Sequence, residues 1–318
     1  MPDRDHPQFA FAAGADAGTA RPAPFEPELD PSHEVIWPES PLTPLVVSSP
    51  HSGNVYPARF LASSRLDPLT LRRSEDAYVD ELFGPAASLG APLLRARFPR
   101  AYLDLNREPY ELDPRMFDGP LPSYANTRST RVAGGLGTIA RVVGEAQDIY
   151  SRRLPVSEGL GRIEALYRPY HAALWALLES ALEHFGQALL LDCHSMPSSA
   201  ILADVGGGRK VDIVLGDRYG TAANQPIVDL IEQRLRQRGY SVRRNKPYAG
   251  GFITEYYGNP ASNCHAVQIE VNRGIYMNEK TMERSAGFVR LSADLKAVAA
   301  DVIELLTGRP AATPMAAE

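Results

Sequence analysis

A short, almost purely apolar run, Ala188 to Cys193, passes directly into a histidine, His194. A run of that length with no polar side reads as a strand buried on both faces, and such a strand needs helices covering each face of its sheet. That requirement points the whole chain toward a layered α/β architecture. Other segments match it in alternation. Strands are expected over Leu45 to Ser49, Leu93 to Arg97, Ala101 to Leu105, Val211 to Leu215, Ser241 to Arg244 and His265 to Val271. Helical spacing of apolar residues predicts helices over Ala77 to Leu89, Gly161 to Phe185, Asn224 to Arg238 and Glu279 to Leu306. The expected fold is therefore three-layer α/β/α with a mixed, mostly parallel sheet.

Residues 1 to about 40 are rich in Pro, Ala, Gly and Asp without any period, so they read as a disordered or loosely packed tail. Residues 41–308 are expected to form a single catalytic domain, and residues 309–318 a second tail. Between Arg107 and Gly137 the chain is dense in Pro, Gly, Asp, Ser and Thr, which suggests a long excursion that covers or lines a pocket. With 44% hydrophobic residues among 318, a large core is within reach. A net charge of -5 and the lack of a basic run argue against nucleic acid. No run approaches the ~18 apolar residues of a membrane span, nor does the start look like a secretory signal, so a cytoplasmic protein is expected. Cys193 and Cys264 sit in apolar runs and read as buried, reduced thiols. Cys193, next to His194, is expected near the site without taking part.

Three predicted strands end in residues that bind metals or move protons: Val47-Ser48-Ser49-Pro50-His51, Leu191-Asp192-Cys193-His194 and Gln268-Ile269-Glu270. In open α/β sheets ligands gather beyond the carboxyl ends of the strands, so side chains far apart in sequence can converge there. Catalytic zinc takes three protein ligands and keeps a fourth position for water. His51 and His194 supply two, and the acidic cluster Ser74-Glu75-Asp76 supplies a third, with Asp76 preferred over Glu75 and an N-cap role for Asp76 as the competing explanation. Cobalt, manganese or iron would suit the same set. Glu270 can take a proton from water and return it to a leaving amine. Ser52 and Ser195 each follow a histidine, but neither lies in a nucleophile elbow, and neighbours on an extended chain point to opposite sides. His171 and His184 fall within a helix and read as packing residues.

The segments SSPHSGNVYP (Ser48 to Pro57), EDAYVDELF (Glu75 to Phe83), DLNR (Asp104 to Arg107), LLLDCHSM (Leu189 to Met196), YAGGF (Tyr248 to Phe252) and HAVQIEVNRGIYM (His265 to Met277), in that order, resemble the N-formylglutamate amidohydrolase family. The resemblance runs from about Leu45 to Leu306. It implies a phosphorylase/hydrolase-like fold, related to zinc carboxypeptidases and aspartoacylases, with one catalytic Zn2+. In that wider group the DLNR segment sets its Asn and Arg on the substrate carboxylate, which implies Asn106 and Arg107 here, and an upstream arginine polarises the scissile carbonyl, with Arg100 the nearest match. The HxxE ligand pair of carboxypeptidases is missing, since position 54 is Asn54. Arg273 reads either as a substrate contact or as an internal ion pair. Gly250 and Gly251 read as a tight turn or as a hinge in a substrate loop.

The function expected is zinc-dependent hydrolysis of N-formyl-L-glutamate to L-glutamate and formate, as in histidine degradation, by a monomer or small homo-oligomer. Two alternatives stay open: the same machinery acting on another acidic N-acyl amino acid, and a catalytically silent binding protein that kept the fold.

Overall fold

The computed structural model describes residues 26–144, 146–200 and 211–309. They form two compact units interleaved along the chain: one from the described part of Met1–Glu34 with Pro50–Glu75 and Arg95–Trp175, the other from Val35–Ser49, Asp76–Leu94 and the described part of Ala176–Glu318.

A seven-stranded sheet is built from β1 (His33–Ile36), β2 (Leu45–Ser49), β3 (Leu93–Ala96), β4 (Ala188–Met196), β5 (Ile213–Gly216), β6 (Val242–Arg244) and β7 (Cys264–Asn272), in the order β1-β3-β2-β4-β7-β5-β6. β2, β4 and β7 run parallel, β5 pairs antiparallel with β7, and β6 runs parallel to β5. The sheet is mixed and mostly parallel, as expected. Register sorts its side chains onto two faces. Leu45, Val47, Leu191, Cys193, Ile213, Leu215, Val267, Ile269 and Val271 point into one apolar core with residues of α1 (Val79–Phe83), α2 (Gln225–Gln237) and α4 (Gly287–Thr307). α3 (Phe252–Tyr257) reaches the opposite face, where Thr254 Oγ1 donates to Asp192 Oδ2 at 3.2 Å.

The first unit holds most of the irregular chain. The helix Val156–Arg162 ends in a fully buried arginine, tolerable because its charge is paired with the Glu158 carboxylate. Its guanidinium lies 3.8 Å from the Tyr102 ring centre and donates to Tyr102 O and Tyr150 Oη.

Four expectations differ from what folds. Ala101 to Leu105 is a turn, because the Tyr102 N–H bonds Pro99 O at 2.9 Å and the Asp104 N–H bonds Thr138 O at 2.8 Å, leaving no ladder. The helix expected from Glu279 begins at Gly287, since Met277–Asn278 and Glu283–Arg284 pair first as a tiny hairpin. The Ala77 to Leu89 helix keeps one α-helical turn over Val79–Phe83 and tightens to 3-10 geometry at Gly84–Leu89, where Pro85 can donate no hydrogen bond. The tail expected over residues 1 to 40 ends early: Pro27–Leu29 is helical and His33–Ile36 is strand β1, half-buried in the sheet. Residues 1–25 and 310–318 lie outside the described residues. Among the described residues no helix is long and apolar enough to cross a membrane.

Candidate metal centre and active site

The face of the sheet opposite the apolar core is polar at the carboxyl ends of its parallel strands. Ser48 on β2 pairs in register with Asp192 on β4, which pairs with Gln268 on β7; one step on, His194 pairs with Glu270. Side chains two residues apart on a strand share a face. Asp192, His194, Gln268 and Glu270 therefore project together, all buried. Cys193 and Ile269 alternate with them into the hydrophobic core. Cys193 thus adjoins the site in sequence only, and burial together with the charge of Asp192 pushes its thiol well above its ordinary pKa.

His194 is held at both nitrogens, Nδ1 donating to Asp76 Oδ2 at 3.0 Å and Nε2 to Asp192 Oδ1 at 2.9 Å. Burial disfavours its charge, yet the Asp192 and Asp76 carboxylates outweigh burial and raise the imidazole well above its ordinary pKa. Asp76 Oδ1 accepts from Ser195 Oγ at 3.2 Å and from Arg273 Nη2 at 3.1 Å. Asp76 does not cap α1: Tyr78 holds that position with a left-handed backbone and no side-chain bond. Its neighbour Glu75 is committed elsewhere, accepting from Tyr56 Oη and from Arg72 Nε.

His51 follows β2 by two residues, just past the same sheet end. Its Nε2 donates to Asp104 Oδ1 at 2.7 Å. Asp104 also accepts from Arg100 Nε at 2.9 Å and from the Asn106 N–H at 2.9 Å. Burial alone would raise this carboxyl; Arg100, Arg107 and His51 overcome it and hold it well below the usual range, so it can only accept.

His51, Asp76 and His194 each offer one ligand atom, and the three atoms lie within 4.8 Å of one another. Two imidazoles and a carboxylate are the donor set of an open zinc site. Each imidazole has its second nitrogen fixed by a buried carboxylate, Asp104 for His51 and Asp192 for His194, which is how metal-binding histidines are usually oriented. Tetrahedral bonds of about 2.0 Å would set two ligand atoms about 3.3 Å apart, close to the 3.0 Å between His194 Nδ1 and Asp76 Oδ2. The residues therefore fit a divalent metal.

The remaining predicted residues are placed as follows. Glu270 Oε1 accepts from Gln268 Nε2 at 2.8 Å. Arg273 makes an internal ion pair with Asp76, and its Nε also donates to Ser195 Oγ. Arg100 lies on Asp104 and is part-exposed. Arg107 is anchored through Nε, which donates to Leu136 O, and Nη1, which donates to Asn106 O, while Nη2 lies 3.6 Å from Asp104. Gly250 takes a left-handed φ of 113°, as a tight turn requires, and the Gly251 N–H donates to Gln268 Oε1. Asp104, Asp192, Gln268 and Thr254 were not singled out from sequence. For Asp192 a signal existed, since it stands two residues before His194 on one strand; Thr254 carried none.

Histidine and carboxylate side chains that could hold a metal, gathered beyond parallel strand ends with a buried glutamate on the neighbouring strand, suit a hydrolase built on an α/β sheet. Comparison with known proteins narrows it. The family model described as N-formylglutamate amidohydrolase matches residues 43–277. The N-formylglutamate deformylase of Pseudomonas putida is 31% identical over 242 residues, covering 74% of this chain and 82% of that protein. That of Pseudomonas aeruginosa is 30% identical over 241 residues, covering 74% and 83%. The crystal structure of N-formylglutamate amidohydrolase from Ralstonia eutropha JMP134 matches with a TM-score of 0.81 at 40% identity, over 86% of this chain and 98% of that one. The chain belongs to the N-formylglutamate amidohydrolase family, and it is a hydrolytic enzyme acting on an amide.

Proposed function

We propose that the enzyme hydrolyses N-formyl-L-glutamate to L-glutamate and formate with one Zn2+ per chain, as a step of histidine degradation in the cytoplasm. The grouping of His51, Asp76 and His194 carries the metal reading, and the names of the Pseudomonas relatives support the substrate. In this reading the chain acts as a monomer or small homo-oligomer.

His51, Asp76 and His194 would hold the metal. Bound zinc supplies Lewis acidity, polarising an amide carbonyl and lowering the pKa of water to about 7. Asp104 and Asp192 keep the two imidazoles in fixed orientation. Glu270 takes the proton of the attacking water and hands it to the leaving amine, and Arg100 faces the developing oxyanion. Asn106, whose N–H is held by Asp104, and Arg107, whose guanidinium is anchored on Leu136 O and Asn106 O, bind a substrate carboxylate, Arg107 through its remaining N–H groups. Arg273 acts by orienting Asp76, and Gly250 and Gly251 shape the loop beside Glu270.

The test is formate release from a panel of N-formyl amino acids, with and without a chelator. Turnover of N-formylglutamate that a chelator abolishes and zinc restores is the expected result. Chelator-resistant turnover would remove the metal from the reading, and preference for acetyl- over formyl-glutamate would change the acyl group. Absence of both metal and turnover would leave a silent binding protein.

A further inference from the structure

Gln268 sits on β7 on the same face as Glu270, two residues before it, and is buried. Its Oε1 accepts the Gly251 N–H at 2.7 Å, and its Nε2 donates to Glu270 Oε1 at 2.8 Å. These two contacts fix which way the amide points. A backbone N–H can only donate, so the carbonyl end must face Gly251, and the amino end is then left for Glu270. An amino group can only donate, so the contact pins Glu270 Oε1 as an acceptor in one orientation.

The far end of this chain of bonds is rigid. Gly250 holds φ 113°, and Gly216 packs so close beneath it that a Cβ there would fall 2.6 Å from Gly250 N. The Arg218 N–H bonds Ala249 O at 2.8 Å, which ties the turn to the end of β5. Gly251 is also the N-cap residue of α3, and Thr254 in that helix donates to Asp192, the carboxylate on His194 Nε2. One turn thus reaches Glu270 through Gln268 and His194 through Thr254 and Asp192.

We propose that Gln268 is a positioning residue, transmitting the fixed Gly250-Gly251 turn to Glu270 and holding its carboxylate in the one orientation that suits proton transfer. The inference rests on the reading of Glu270 as the base.

A double-mutant cycle tests it in the metal-loaded full chain, with kcat, KM, metal content and Tm measured for each protein. Gln268→Met keeps the length and loses both hydrogen bonds. Gln268→Glu keeps an acceptor for Gly251 and sets a like charge against Glu270. In the otherwise unaltered enzyme each should lower kcat about ten- to a hundredfold, the scale of a small misplacement of a reacting group, with KM and metal content little changed. In a Glu270→Gln background neither should cost anything further, because the group being positioned is already disabled. Equal losses in both backgrounds, or losses that track Tm, would make Gln268 merely structural and overturn the proposal. Near-normal kcat in Glu270→Gln alone would sink the base reading. An inactive Glu270→Gln enzyme beside fully active Gln268 variants would sink only the positioning role. Should Gln268→Met fail to fold, Gln268→Glu carries the same cycle.

Discussion

Asp104 accepts the Nε2–H of His51 at 2.7 Å while Arg100 and the Asn106 backbone hold the same carboxylate from other sides. The ring of His51 is therefore oriented before any ligand arrives. Asp104→Asn removes the charge that fixes it and should weaken metal affinity about 10- to 100-fold. Competition with a chelator of known affinity reads this directly. Unchanged affinity would mean that Asp104 serves only the arginines.

Among the ligands, His51→Ala, His194→Ala and Asp76→Ala should each lose metal and activity together, whereas Glu75→Gln should retain stoichiometric metal. The reason is commitment: Glu75 is held by Tyr56 and Arg72, while Asp76 faces His194. Elemental analysis of the purified variants decides between the neighbours. Metal retained in Asp76→Ala and lost in Glu75→Gln would reverse the assignment.

Glu270→Gln keeps the side-chain shape but cannot take a proton from water. We expect full metal occupancy, little change in KM and a fall in kcat of about 10²- to 10⁴-fold. Near-normal kcat would hand the base role to another carboxylate.

In the proposed reading Arg107 binds a substrate carboxylate through the guanidinium N–H groups not given to Leu136 O and Asn106 O. A charge-assisted bond of about 1.5–3 kcal/mol implies a loss of about ten- to a hundredfold in kcat/KM for Arg107→Ala on N-formylglutamate. A formamide lacking carboxylates should suffer little. Parallel losses on both substrates would show that Arg107 supports the loop at Leu136 and not the substrate.

His171 is fully buried and its Nε2–H donates to Leu105 O at 3.0 Å; burial, opposed only by that bond, lowers its pKa to about 3. Because the folded value lies below the unfolded one of about 6.5, the neutral ring contributes its full share of stability above pH 6.5. That share is lost progressively as pH falls from 6.5 toward 3, since the unfolded chain binds the proton more readily. His171→Asn, which keeps a donor for Leu105 O, should flatten the acid side of the Tm-against-pH curve. An unchanged slope between pH 6.5 and 4 would place the acid sensitivity elsewhere.

Much of this protein was legible in the sequence because its signals are local. The apolar runs at Leu45 to Ser49 and Ala188 to Cys193 form strands regardless of their partners, and the residues ending them, His51 and His194, stand within two residues of a sheet end. The amphipathic spacing of Tyr170, Leu174, Leu177 and Leu178 likewise fixes the helix Arg168–Phe185, along the buried side of which they lie. What tertiary structure alone decided concerns partners distant along the chain. Whether Asp76 or Glu75 turns toward His194 depends on contacts 118 residues away, and the anchoring of Arg107 depends on a carbonyl 29 residues further on. The turn at Ala101 to Leu105 has a strand's composition, but its N–H groups found Pro99 and Thr138 before any strand edge. Propensity reports what a segment prefers in isolation, whereas buried hydrogen-bonding groups must be satisfied by whichever partners the fold brings near.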